Sequence, residues 1–166
     1  MTIYFYSTRE EYGSFSNFSP HGFELDGLYW STSEHYFQAQ KFVGTAHVEQ
    51  IRLVKTPKDA AKMGRERTRP LRQDWEQIKD DIMRQAVLCK FQTHTDIRNI
   101  LLSTGNAEIV ENSPIDFYWG CGADGSGKNM LGKILMEVRD ILRHIYSADV
   151  DHNGTTKKIN DPKMTK

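Results

Sequence analysis

The hydrophobic period of the chain changes near residue 31. Before that point short apolar runs alternate and are broken by turn residues. After it apolar side chains recur every three or four positions. "TIYFYS", from Thr2, is rich in aromatic and β-branched residues and predicts a strand. "FELDGLYW" holds Asp26-Gly27 between two short apolar runs, which predicts a hairpin. A turn-rich stretch carrying Phe15, Asn17 and Phe18 lies between them. From Ser31 onward helices are expected. Ser31 and Glu34 fit the S-x-x-E capping box of a helix running to about Val43, with Tyr36, Ala39 and Val43 facing inward. "AHVEQIRLVK" and "PKDAAKMG" predict two shorter helices, the second with Pro57 in its first turn. A longer helix should run from about Asp74 to Thr93, with Trp75, Ile78, Ile82, Ala86 and Cys89 as its apolar stripe. "DIRNILLS" continues the helical pattern; "AEIVENS" and "IDFYWG" read as extended. The final helix carries the longest stripe: Leu131, Ile134, Leu135, Val138, Ile141, Leu142 and Ile145. Beyond Tyr146 the pattern stops. One domain over residues 1–146 is expected, followed by a polar, mobile tail over 147–166.

Composition narrows the classes. Lys plus Arg and Asp plus Glu both total 22, so no global field draws the surface to nucleic acid or an anionic membrane. Anion recognition must then be local. The two cysteines are too few for a disulfide framework or a cysteine zinc site. No secretory core follows Met1, and no apolar run approaches the roughly 18 residues that span a bilayer. A cytoplasmic location with no membrane partner is the expectation.

Four stretches carry candidate chemistry. In "SEHYFQAQKF", Glu34, Gln38 and Lys41 fall within about 60° of one another on a helix face. Spacing alone fits either a solvated, capped helix or a carboxylate–amine pair. The flanking His35, Phe37 and Phe42 are unusual company for open water. In "GRERTRPLRQD", Arg65, Arg67, Arg69 and Arg72 supply forks suited to phosphate oxygens, or a solvated turn neutralised by Glu66 and Asp74. Trp75 follows, as a core anchor or a stacking platform. "GCGADGSGKN" places Gly122, Gly127 and Lys128 as in a phosphate-binding P-loop, but Asn129 stands where a magnesium-binding Ser or Thr is required. Its backbone amides, leading into a helix N-terminus, can receive a phosphate or a carbonyl oxygen; a flexible loop entry is the alternative. Asp116 precedes Phe117, Tyr118 and Trp119, company that can perturb a carboxylate or simply cap a turn. The histidines show no metal-ligand spacing and no G-x-S-x-G elbow occurs, so neither a metal nor a cofactor is expected. Cys89 belongs to a core stripe and reads as packed rather than nucleophilic.

Taken in order, "FSNFSP", "W-S-T-S-EHYFQAQKF", "MGR", "LRQDW" and "D-F-YWGCGADGSGKNMLG-ILM-VR" closely resemble the NADAR family, over about residues 3 to 143. The resemblance implies an α+β fold: a single predominantly helical domain with a small β-sheet beside the active-site pocket. It also implies N-glycosidase chemistry. The family includes enzymes that remove ADP-ribose from guanine bases and others that act on phosphoribosylamino-pyrimidine intermediates of riboflavin biosynthesis. On this resemblance Lys41 attacks ribose C1 and forms a Schiff base, and Glu34 shuttles protons. Asp116 holds sugar hydroxyls or protonates the base. Trp75, with Trp119 as second choice, stacks on the base, and Asn17 hydrogen-bonds the base or ribose. Arg65, Arg72 and the turn bearing Gly122, Gly127, Lys128 and Asn129 take the phosphates. The expected partner is a nucleotide or ADP-ribosylated guanine in nucleic acid, with ADP-ribosyl-guanine the favoured substrate. A non-catalytic ADP-ribose or nucleotide-binding module is the rival class; it would not need Lys41.

Overall fold

The computed structural model describes residues 1–147; the polar tail expected over 147–166 lies, apart from Ser147, outside the described residues. Its elements follow the order β1 (Thr2–Phe5), a single 3-10 turn (Gly13–Phe15), β2 (Phe23–Leu25), β3 (Leu28–Trp30), α1 (Ser33–Gln40), α2 (His47–Arg52), α3 (Pro57–Gly64), α4 (Trp75–Thr93), α5 (Thr95–Ser103), β4 (Glu108–Glu111) and α6 (Met130–Ser147). The expected α+β, mainly helical architecture is what forms.

β2 and β3 pair as the hairpin, with Phe23 opposite Trp30 and Leu25 opposite Leu28. Asp26 and Gly27 turn it with φ of 54° and 77°, the pair of positive values that matches the twist of a two-residue hairpin. β1 pairs in parallel with β4, from Thr2 opposite Glu108 to Phe5 opposite Glu111. Such a pair needs a long crossover, and the four helices α1 to α4 together with α5 provide it.

α1 is the central element, buried along all eight of its residues. It packs against α2, α3 and α4. Two apolar clusters flank it. One gathers Phe37 with Trp75, Met83, Val87 and Phe91 of α4 and Leu131, Ile134, Leu135, Val138 and Leu142 of α6. The other gathers Tyr36, Ala39 and Phe42 with Phe23, Trp30, Ile51, Ala86 and Cys89. Cys89 is packed as expected, its thiol 3.1 Å from the Glu24 carbonyl.

Several local expectations need correction. The cap of α1 is Thr32, not Ser31: its hydroxyl accepts the His35 amide at 3.1 Å. The run Ser31-Thr32-Ser33 offers three hydroxyls, and burial of α1 selects the middle one. Glu34 is thereby released from capping. α1 ends at Gln40, so Lys41 is its C-cap, and Val43, expected inward, is half exposed. "IDFYWG" forms no strand. The carbonyls of residues 117 to 121 instead accept amides from residues 127 to 131, wrapping this segment around the glycine turn. Ile141 and Ile145 of the α6 stripe face outward.

Candidate active site

Lys41 leaves the C-terminal end of α1 at the point where two open clefts meet. The smaller, about 390 Å³, is lined by Lys41, Arg65, Arg67, Arg69 and Trp75. The larger, about 550 Å³, is lined by Glu34, Lys41, Glu111, Asp116, Phe117 and Trp119 among others. Lys41 and Arg65 belong to both. The amine donates to the Gly64 carbonyl at 3.3 Å and lies 5.9 Å from the Phe37 ring and 5.8 Å from the Trp75 ring. Burial under those rings pulls Lys41 from 10.5 down to about 8, with Glu34 opposing the shift and Arg65 and Arg67 adding to it.

Glu34 lies one to two turns before Lys41 and is 7% exposed. Burial raises its carboxyl above the usual range; the Gln38 amide, donating to Oε1 at 2.8 Å, and the Lys41 charge oppose that. Gly64 is what lets α3 approach this face: a methyl there would strike the Gln38 carboxamide. Asp116 sits across the larger cleft. Its Oδ1 accepts the amides of Tyr118 at 2.9 Å and Trp119 at 2.7 Å, and its own amide donates to Ser113 Oγ at 3.0 Å. One carboxylate oxygen is so fixed as a turn cap while the residue still lines the cleft.

The aromatic residues divide. Trp75 is buried, its ring 5.0 Å from that of Phe37, and it covers Lys41 from the smaller cleft. Trp119 is half-buried, edge-on to Phe37 at 5.2 Å, and lines the larger cleft. Asn17 is a brace as well as a lining residue: Ser33 Oγ donates to its Oδ1 at 2.9 Å, and its carbonyl accepts the Glu34 amide at 3.2 Å.

The expected phosphate ligands come together only in part. Arg65 and Arg67 flank the smaller cleft, and their side chains make no hydrogen bond or ion pair among the described residues. Arg72 is otherwise engaged. It grips Asp74 at 2.6 and 3.0 Å and donates to the Gln40 carbonyl at 3.3 Å, so it is a strut and not a cleft residue. Arg69 is held by Glu66, His47 and Gln50. Gly122, Gly127, Lys128 and Asn129 line neither cleft. The amides of Gly127, Lys128 and Asn129 already donate to the carbonyls of Cys121, Phe117 and Gly120, which leaves them no anion to hold. Asn129, at φ 52°, is buried, accepts the Glu111 amide at 2.9 Å and donates to the Ile109 carbonyl at 2.9 Å. The P-loop-like spacing therefore encodes a clamp on the end of β4.

What that clamp holds is Glu111, a residue the sequence reading passed over. A signal for it existed: strand alternation puts Glu111 on the same face as the fully buried Ile109. Phe18 and Phe117, about half exposed, stand at the mouth of the same cleft. No cluster of three or more His, Cys, Asp or Glu side chains able to hold a metal occurs among the described residues.

The NADAR domain family matches residues 4–143. The chain belongs to the NADAR family. Among relatives, an N-glycosidase of Nostoc punctiforme, Npun_R5314, is 55% identical over 150 residues, covering 89% of this chain and 96% of its own. The N-glycosidase YbiA of Escherichia coli is 51% identical over 140 residues, 84% of this chain and 88% of its own. The NMR structure of YbiA superposes with a TM-score of 0.83 at 47% identity, covering 93% and 91% of the two chains. The riboflavin biosynthesis protein PYRR of Zea mays, a chloroplastic protein, is 44% identical over 164 residues; they cover 90% of this chain but 26% of the maize protein. At these identities and lengths, this NADAR protein is an enzyme of the N-glycosidase class, a hydrolase acting on N-glycosyl compounds.

Proposed function

We propose that the protein cleaves the bond between ribose C1 and a base in compounds carrying a 5′-phosphate, with phosphoribosylamino-pyrimidines of riboflavin biosynthesis as the preferred substrates. One observation carries the reading: a half-buried amine, Lys41, stands between a cleft bordered by unengaged arginines and a cleft lined by carboxylates and aromatics. The ribose lies over the amine, its phosphate toward Arg65 and Arg67, its base toward Phe18, Phe117 and Trp119.

In that pose Lys41 attacks C1 in its neutral form. The C1–N bond breaks with its electron pair leaving on the base, and the sugar opens to a Schiff base on Lys41. Glu34 takes the proton released by the attacking amine and passes it to the ring oxygen as the C1–O4′ bond opens; when water frees the sugar, Glu34 takes a proton from that water and returns it to the departing amine. Gln38 positions Glu34, and the unengaged oxygen of Asp116 accepts from ribose hydroxyls.

The choice of substrate rests on how many anion ligands remain. With Arg72 and Arg69 tied to neighbours and the glycine-turn amides satisfied, Arg65 and Arg67 suit one phosphate better than two. The maize relative named for riboflavin biosynthesis supports the same substrate. ADP-ribosyl-guanine is the second reading, favoured by the continuity of the two clefts through Lys41 and Arg65, which gives room for a longer ligand. Side-by-side turnover decides. Release of ribose 5-phosphate from the aminopyrimidine with a higher kcat/KM than release of ADP-ribose from the modified guanosine is expected. The reverse ranking would replace the first reading with the second, and binding of either compound without turnover would leave a nucleotide-binding module.

A further inference from the structure

Glu111 is the last residue of β4, and its main chain is held on both sides. Its amide donates to Asn129 Oδ1 at 2.9 Å, and its carbonyl accepts the Cys121 amide at 2.9 Å. The side chain lines the larger cleft and also an adjoining one of about 460 Å³ bounded by Tyr6, Ser7, Thr8, Ser16 and Phe18. Its Oε2 is buried and has no hydrogen-bond partner among the described residues. An unsatisfied buried oxygen on a rigidly held strand end points to a ligand or a proton in transit. Burial pushes this carboxyl up to about 8, and the carboxylates of Asp116 and Glu34 push in the same direction. At neutral pH it is therefore a carboxylic acid with a proton to give.

Three carboxyl groups share the cleft, and their surroundings separate their roles. Glu34 accepts from Gln38 and neighbours Lys41, on the sugar side. Asp116 accepts two backbone amides and acts as an acceptor. Glu111 alone of the three also lines the adjoining cleft, with Tyr6 and Phe18, beside the larger cleft that Phe117 lines.

We infer that Glu111 is the proton donor to the departing base, in a subsite walled by Tyr6, Phe18 and Phe117. The inference rests on the N-glycosidase reading and deepens it. As the C1–N bond breaks, its electron pair passes to the base nitrogen, and the Glu111 proton moves onto that nitrogen. Glu111 is left as a carboxylate. The water that hydrolyses the Schiff base gives its oxygen to C1 and, through solvent, a proton back to Glu111. The subsite then suits bases that leave as anions unless protonated, such as aminopyrimidines and purines.

The test compares wild type with Glu111→Gln on two ribose 5-phosphates: a phosphoribosylamino-pyrimidine, whose base needs a proton to leave, and nicotinamide mononucleotide, whose pyridinium leaves as a neutral molecule. On the aminopyrimidine Glu111→Gln should lose roughly 10²-fold in kcat. On nicotinamide mononucleotide its loss should be at least about tenfold smaller, since general-acid catalysis is not needed there. The alkaline limb of the aminopyrimidine pH profile, near pH 8 in wild type, should vanish in Glu111→Gln and persist in Glu111→Asp, each with its folding checked by melting temperature. An alkaline limb retained in Glu111→Gln, or equal losses on the two compounds, would overturn the assignment. The limb is read on the aminopyrimidine alone, so it decides the matter even where nicotinamide mononucleotide is not turned over. Failure of the parent reading looks different: wild-type protein would then release ribose 5-phosphate from neither compound.

Discussion

Titrating Lys41 is the sharpest way to perturb this site. An amine that titrates near 10.5 would be neutral in only about 3 molecules in 10⁴ at pH 7. With Lys41 held at about 8, about one molecule in ten carries the neutral amine at pH 7 and about one in a hundred at pH 6. Burial beneath Phe37 and Trp75 therefore multiplies the reactive form by roughly 300 at neutral pH. The assay is single-turnover base release under saturating enzyme, from pH 5.5 to 8. The rate should climb nearly tenfold per unit at the acid end and bend over close to pH 8. Arg65→Gln removes a cation that depresses the amine, so its acid limb should move to higher pH. A flat profile between pH 6 and 8 would refute the reasoning, and so would a limb moving to lower pH in Arg65→Gln.

Four further predictions follow from the same geometry. Arg72→Ala, which breaks a strut outside the clefts, should leave KM within about twofold and cost no more than about 1 kcal/mol in urea unfolding, as exposed ion pairs do. Arg67→Ala should instead raise KM, with little change in the plateau kcat and only a slight move of its acid limb to higher pH. Asn129→Ala removes both the acceptor for the Glu111 amide and the donor to Ile109, and should destabilise by about 1–3 kcal/mol in a urea melt while lowering kcat. Glu111→Gln should be more stable than wild type in a way that depends on pH. The folded carboxyl titrates at about 8 against 4.5 when free, so the native state binds the extra proton between those values and wild-type stability falls as pH rises through that window. The advantage of the variant should be near zero at pH 4.5 and grow to on the order of 4 kcal/mol by pH 8, measured by urea midpoints.

Locally encoded parts of the fold were legible. Asp26-Gly27 needs only its own two positive φ values to turn the hairpin, Pro57 needs only the first turn of α3, and Leu131 to Leu142 repeat often enough to fix the buried face of α6. Non-local parts were not. Ser31, Thr32 and Ser33 are equivalent caps until α1 is buried on all sides. Phe117 to Trp119 have strand-like side chains, yet their carbonyls are claimed by amides eleven or twelve residues further on. The same pairing explains why a phosphate-loop spacing misled: nothing in Gly122 to Asn129 by itself says that its amides already have acceptors. Lys41, Glu34 and Asp116 stood out as candidates by their neighbours, and family resemblance gave them roles. Glu111 was missed because its weight comes from two carboxylates and an asparagine brought to it by other elements.

The account turns on a covalent bond between Lys41 and the sugar. Incubating the enzyme with the phosphoribosylamino-pyrimidine and sodium borohydride, then sequencing the proteolytic peptides by mass spectrometry, tests it directly. The account predicts inactivation together with a reduced ribose phosphate on residue 41 and on no other lysine. Continued turnover in borohydride with an unmodified Lys41 peptide, or an adduct mapped to another lysine such as Lys90, would contradict it.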